Sequence, residues 1–196
     1  MTEQRPAWLD AVLRGAPSGE AGLAATQLGC ADMAASDGFR LMSAAFPNGG
    51  ELDPCFTAEE EDAVAPPLEW TTPPADAAEL VLVAERAGEG EEPFCHWLVW
   101  GLAPQQGKLL EGETPPRVGK NSFGNSEWAL PASPTGAEPN RYVFQLFALD
   151  TPLALMPGAR REDLVSAMQG HVVGCAVLGA TFAGVEDDDE SWDDGE

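Results

Sequence analysis

Residues 141–149 (RYVFQLFAL) are rich in Tyr, Val and Phe, and after Arg141 only Gln145 interrupts the apolar run. Aromatic and β-branched residues at this density favour an extended strand. A strand with one wet face alternates apolar and polar residues, whereas a strand covered on both faces need not. Residues 80–85 (LVLVAE) and 95–101 (CHWLVWG) read the same way. Together the three runs predict a sheet whose central strands are buried on both sides. Between them lie Pro- and Gly-rich segments at 104–107, 114–119 and 131–139, too long and irregular for hairpin turns. Long loops on a rigid sheet are where binding sites tend to sit. Late in the chain Leu164, Ala167, Met168 and His171 fall at i, i+3, i+4 and i+7, with Glu162 and Asp163 in the first turn. That spacing predicts a helix over 162–169, stopped by Gly170, before 172–182 resumes as a strand.

Working outward, the chain divides into three zones. In residues 1–38, Trp8, Leu9, Val12 and Leu13 recur at helical spacing, and Leu23, Ala24 and Leu28 offer a second short stripe. This zone reads as a helical N-terminal extension that packs on the main domain or on a partner. Residues 39–184 form the β-rich domain. Residues 185–196 (VEDDDESWDDGE) hold eight acids and no base, a block expected to stay disordered. A chain of 196 residues that is 44% hydrophobic, with six Trp and eight Phe, is long enough to bury one sizeable core.

The formal net charge is −23, from ten basic and 33 acidic residues. A body so acidic is repelled by nucleic-acid backbones and anionic membrane surfaces, so neither is an expected partner. The four cysteines, Cys30, Cys55, Cys95 and Cys175, form no C-x-x-C pair, which argues against a zinc ribbon or a redox motif. The N-terminus has no long apolar h-region, and no uninterrupted apolar run reaches about 18 residues. A cytoplasmic protein with reduced, mostly buried thiols and no transmembrane segment is expected.

Five blocks in order carry a resemblance: 45–57 (AFPNGGELDPCFT) with 66–70 (PPLEW); 96–101 (HWLVWG); 119–124 (GKNSFG); 141–150 (RYVFQLFALD); and 170–178 (GHVVGCAVL). Across roughly residues 39–184 the chain resembles the bacterial, Raf-kinase-inhibitor-like branch of the phosphatidylethanolamine-binding proteins. The resemblance implies a mostly β fold, a β-sandwich with a few peripheral helices. It also implies a small anion pocket at one end of the sandwich, built from an Asp-Pro-Asp-Ala-Pro loop, a His in the His-Trp strand and a second His before Arg-Tyr. Carried onto this chain, the first His is His96 and the second position is Asn140. Tyr142 matches the family's Tyr, and Trp128 replaces an aromatic near the mouth. The loop position falls on residues 85–92 (ERAGEGEE), beginning at Glu85, with neither Asp nor Pro.

The chemistry of these exchanges is a weakened anion site. Two imidazoles can each donate a hydrogen bond and charge near neutrality, whereas Asn140 donates but never becomes cationic. Charge-assisted bonds are about twice as strong as neutral ones. The acids of the 85–92 loop add repulsion if they line the mouth. Ser122, in GKNSFG, belongs to the pocket loop as a turn residue, and Lys120 beside it is a solvated surface cation. His171 reads as a structural cap or core group. Cys95 and His96 are neighbours on a strand and point to opposite faces, so they serve neither as a metal pair nor as nucleophile and base. No metal, cofactor or catalytic residue is expected.

The expected function is a non-catalytic binding protein with a weak small-molecule or anion pocket at His96, Asn140, Tyr142, Glu85, Ser122 and Trp128. A second reading is an interaction subunit that docks a partner with a basic surface through its N-terminal helix and acidic tail. An enzyme using His96 for acid–base work is a third, and a homodimer is left open.

Overall fold

The apolar runs form the strands they predict. The computed structural model describes residues 6–13, 22–30, 32–33, 38–87 and 93–184. Among them the strands are β1 Leu41–Met42, β2 Gly50–Glu51, β3 Leu68–Trp70, β4 Glu79–Ala87, β5 Phe94–Leu102, β6 Gly107–Leu109, β7 Arg117–Val118, β8 Asn140–Leu149 and β9 Val172–Phe182. The helices are α1 Ala7–Leu13, α2 Ala24–Gln27 and α3 Arg161–Met168, with a 3-10 turn at Pro54–Phe56. A six-stranded sheet in the order β2-β9-β8-β4-β5-β7 packs on a three-stranded sheet, β1-β3-β6. All pairings are antiparallel except β2 with β9. The architecture is mostly β, as expected.

Side-chain parity explains the unbroken apolarity of the central strands. Leu80, Leu82 and Ala84 of β4 and Tyr142, Phe144, Leu146 and Ala148 of β8 face the small sheet, meeting Leu41, Leu68, Trp70 and Leu109. Val81, Val83, Val143, Phe147 and Leu149 face the other way, against Leu9 of α1, Leu23, Ala24 and Ala25 around α2, and Leu164, Val165 and Met168 of α3. Successive strand residues point to opposite faces, so two dry faces demand two apolar sets.

The N-terminal segment forms a wall of this core. Leu9, Ala24 and Ala25 are fully buried. Trp8 lies so close to Gly179 of β9 that a Cβ there would sit 2.7 Å from the indole, and Arg141 covers its ring at 5.7 Å. The acidic segment 185–196 and residues 88–92 of the Glu-rich loop lie outside the described residues. The late helix begins and ends one residue earlier than its spacing suggests. His171 therefore falls beyond it, because the chain leaves the helix at Gln169 and turns through Gly170 at φ 78°. His171 instead sits at the surface, Nδ1 to Asp150 Oδ1 at 2.9 Å.

Gln145, the one polar residue of the RYVFQLFAL run, has a structural task. Helix α2 has no side-chain cap of its own, and first-turn N–H groups left without acceptors are costly when buried. Gln145 Oε1 accepts from Ala25 N at 2.8 Å, and Glu85 Oε2 accepts from Ala24 N at 2.9 Å. Gln145 Nε2 donates to the same Glu85 oxygen at 2.6 Å. Glu85 Oε1 is ion-paired with Arg161 Nε, whose other nitrogens donate to Gln27 Oε1 and Gly22 O, each at 3.2 Å. One buried carboxylate thus joins β4, β8, α3 and the N-terminal segment.

Breaking a buried ion pair from one side leaves the other charge uncompensated and costs about 3–5 kcal/mol. Glu85→Ala should lose stability on that scale in urea unfolding, while Glu85→Gln, which keeps an acceptor, loses less. A Glu85→Ala protein as stable as the parent would show that the buried carboxylate does not hold the N-terminal segment in place.

Candidate functional site

The sheet pairing sets His96 apart from its neighbours. Along β4 and β5, Ala84 pairs with Trp97 and Glu85 with Cys95, so His96 is the extra residue of a β-bulge. Bulges re-aim side chains, and here His96 and Trp97 both reach the ring of Trp128, at 5.6 and 6.0 Å between centroids. Cys95 belongs to the opposite, helix-covered face. The separation of Cys95 from His96 expected from strand alternation therefore holds, with the bulge re-aiming the imidazole.

His96 lies in an aromatic cage. Phe94 is 4.7 Å away, Tyr142 5.1 Å and Trp128 5.6 Å, and Phe123 closes over Phe94 at 4.9 Å. Trp128 stacks on Phe144 and donates from Nε1 to Phe56 O at 3.1 Å. The imidazole is 3% exposed. Its Nδ1 lies 2.5 Å from Ala129 O. A carbonyl only accepts, so Nδ1 carries the proton and donates, and the neutral ring presents a bare lone pair at Nε2.

That Nε2 has no partner, and neither has the buried hydroxyl of Tyr142. Buried polar atoms are nearly always satisfied; Trp100 Nε1 and Ser133 Oγ are the other exceptions among the described residues, and His96 and Tyr142 are the two whose rings meet. Burial pushes the imidazole down to about 4, partly opposed by the bond to Ala129, with the charge of Arg86 adding to the fall. Burial likewise pushes the Tyr142 phenol up to about 12, against the pull of Arg86 and of the nearby Asn140 amide. At neutral pH the site therefore holds a neutral imidazole that accepts and a neutral phenol that donates. Charging the imidazole at pH 7 costs about 4 kcal/mol, three pH units at 1.36 each.

The fold brings His96, Tyr142 and Trp128 together. Asn140 stands two residues before Tyr142 on β8, half-buried, with Nδ2 donating to Ala132 O at 3.4 Å. Ser122 is tied to the start of β5, its Oγ accepting from Cys95 N at 2.8 Å and its N–H donating to Cys95 O at 2.9 Å. Lys120 is exposed, its N–H bonded to Ala159 O. Glu85 is the correction. Its carboxylate is fully buried on the helix-covered face, spent on Arg161, Gln145 and Ala24, and does not line the His96 cage. Odd and even positions of β4 face opposite ways, so a residue carried over by alignment alone can land on the wrong side.

The same parity exposes a group the sequence reading missed. Arg86 follows Leu80, Leu82 and Ala84 on the sandwich face, pairs with Tyr142 on β8 and with Phe94 on β5, and lies over the Phe94 ring at 5.4 Å. Asn121 was also missed. It is 5% exposed and organises the neighbouring loop, donating to Glu127 O at 2.9 Å and accepting from Phe123 N at 3.0 Å. A shallow groove of about 450 Å³ elsewhere, between Met42, Trp70 and Lys108, contains none of these unpartnered atoms. Among the described residues no group of three or more His, Cys, Asp or Glu is placed to hold a metal ion, and no helix is long and apolar enough to cross a membrane.

Comparison with known proteins agrees with this fold. The family model described as phosphatidylethanolamine-binding protein matches residues 42–183. A UPF0098 protein of Methanothermobacter thermautotrophicus is 33% identical over 148 residues, 70% of this chain and 94% of that protein. A relative from Mycobacterium tuberculosis with a lipoprotein name, LppC, is 34% identical over 152 residues, 76% of this chain and 75% of its own. The crystal structure of a phosphatidylethanolamine-binding protein homologue, CT736 of Chlamydia trachomatis, superposes with a TM-score of 0.69 at 30% identity, over 76% of this chain and all of that one. Escherichia coli YbcL, at 17% identity and a TM-score of 0.64, shares the fold. These matches lead to one assignment: the chain belongs to the phosphatidylethanolamine-binding protein family.

Proposed function

We propose that this protein is a non-catalytic binding member of the family, with a polar small-molecule pocket at His96, Tyr142 and Asn140 whose anion affinity is reduced. The observation that carries the reading is the adjacent pair of unpartnered buried atoms, His96 Nε2 and Tyr142 Oη. Asn140 cannot add charge, and the imidazole donates to an anion only after a costly protonation. Cys95, the nearest thiol by sequence, faces the other side of the sheet. The N-terminal helices weigh against the interaction-subunit reading, because Leu9, Leu23, Ala24 and Ala25 are already buried in the chain's own core. A cytoplasmic location belongs to this reading through its reduced thiols, while the lipoprotein name of the mycobacterial relative points the other way.

The direct test is calorimetry with phosphoethanolamine at pH 6.5. Asn140→His should bind at least tenfold more tightly than the parent, a gain of about 1.4 kcal/mol. Equal affinities would remove Asn140 from the site.

The neutral state of His96 has its own signature. Burial in the folded protein holds its pKa at about 4, against the ordinary histidine value of 6.5. Between those values the unfolded chain binds more protons, so stability is lost as pH falls through that window. From pH 7 to 5 the loss attributable to His96 is about 2 kcal/mol. Urea unfolding of the parent should therefore fall more steeply over this range than that of His96→Gln, in which carboxylate effects are shared. Parallel pH curves for the two proteins would mean that His96 is not held neutral.

A further inference from the structure

Three of the four cysteines, Cys30, Cys95 and Cys175, belong to the helix-covered core, and none of the four is bridged in this structure. Two of them meet. On β9, Cys175 lies across from Phe147 and Val177 across from Gln145, and both turn toward the helical cover. The N-terminal segment lies over the same place. Ala25 N donates to Gln145 Oε1 at 2.8 Å. Cys30 folds back on Ala25, its N–H and its thiol both donating to Ala25 O, at 3.0 and 3.4 Å. The Cys30 sulfur is in turn hydrogen-bonded to the Cys175 side chain. Each of the two residues is 1% exposed.

Contact between two thiols that are far apart in sequence is uncommon, and its chemistry is specific. Bridged sulfurs sit about 2.05 Å apart, so two thiols already in hydrogen-bond contact need only a small side-chain movement to join. The thiolate is the reactive form in exchange. The Cys175 bond holds the Cys30 thiol below its ordinary value, against the opposing effect of burial, and the backbone at Cys30 adds to the fall. Burial pushes the Cys55 thiol up to about 11 and raises Cys95 as well. Cys30 is therefore the better nucleophile of these three, and Cys175 stands beside it to resolve the bond it makes.

We infer that Cys30 and Cys175 form a redox-responsive dithiol, which closes to a disulfide by exchange with a disulfide donor and locks the N-terminal cover onto β9. The Cys30 thiolate attacks one sulfur of the donor, glutathione disulfide being the type, and expels one donor thiolate. The Cys175 thiolate then attacks Cys30 Sγ and expels the second half of the donor as a thiol. One S–S bond forms in the protein and one breaks in the donor, which takes up the two electrons and the two protons. Burial of the pair means that the donor enters only when residues 22–30 lift from the sheet. Lifting them breaks the bonds of Ala24 to Glu85 and of Ala25 to Gln145. In a reducing compartment the pair stays open and the cover can lift; in an oxidising one the bridge ties it down. This device is independent of the pocket at His96.

The test needs the parent protein alone. After incubation with millimolar glutathione disulfide, alkylation and intact mass should show two of the four thiols lost without added glutathione, and peptide mapping should join Cys30 to Cys175. The bridge closes most of the chain into one loop, so the oxidised protein should melt on the order of 10 °C above the reduced one, reversed by dithiothreitol. Glu85→Gln, with a more loosely held cover, should bridge several-fold faster. Four thiols still open to alkylation in the denatured protein, a stable glutathione adduct, or a bridge through Cys55 or Cys95 overturns the inference. A Cys30–Cys175 bridge that leaves the melting point unchanged, or one formed at the parent's rate in Glu85→Gln, overturns the lock.

Discussion

A carboxylate shut away from water must be neutralised and fully hydrogen-bonded, and the partners that do this for Glu85 come from three parts of the chain. Ala24 belongs to the N-terminal segment, Gln145 to β8 and Arg161 to the start of α3. The ion pair therefore fixes where the helical cover lies on the large sheet. It also substitutes for a cap that the short helix α2 lacks. With that cover in place, the second face of β4, β8 and β9 is dry, and their near-continuous apolar sequences are physically consistent.

Two dry faces give the sheet two different jobs. The helix-covered face is closed, its buried carboxylate and amide, Glu85 and Gln145, bonded to each other and to Arg161, Ala24 and Ala25. The sandwich face ends in the aromatic cage, and there the accounting is left incomplete at His96 Nε2 and Tyr142 Oη. The β-bulge at His96 makes the difference, since it turns the imidazole toward Trp128 and Tyr142 while Cys95 and Glu85 stay behind the sheet. A one-residue irregularity thus separates the stabilising carboxylate from the imidazole of the proposed pocket.

Much of the fold was legible because it rests on local composition. The runs at 80–85, 95–101 and 141–149 became β4, β5 and β8, and 172–182 became β9 with the same ends. The site was legible in part. His96, Tyr142 and Trp128 were found through spaced motifs and lie together. Glu85 was misplaced because linear alignment carries a position along the strand without fixing its face. Arg86 was overlooked for the matching reason: its relevance comes from cross-strand partners far away in sequence, Tyr142 and Phe94, that no local pattern announces. The direction of the His96 hydrogen bonds was equally invisible, because it depends on the carbonyl of Ala129, a backbone atom on another loop.

The central claim is that His96 is neutral, with its proton on Nδ1 and a bare lone pair at Nε2. Nitrogen-15 NMR of the histidine-labelled protein at pH 6.5 reads this directly, since protonated and unprotonated ring nitrogens differ widely in shift and coupling. The account predicts a His96 ring with a protonated Nδ1 and an unprotonated Nε2, unchanged on acidification until the pH approaches about 4. An imidazolium at pH 6.5, or a neutral ring with its proton on Nε2, would contradict it.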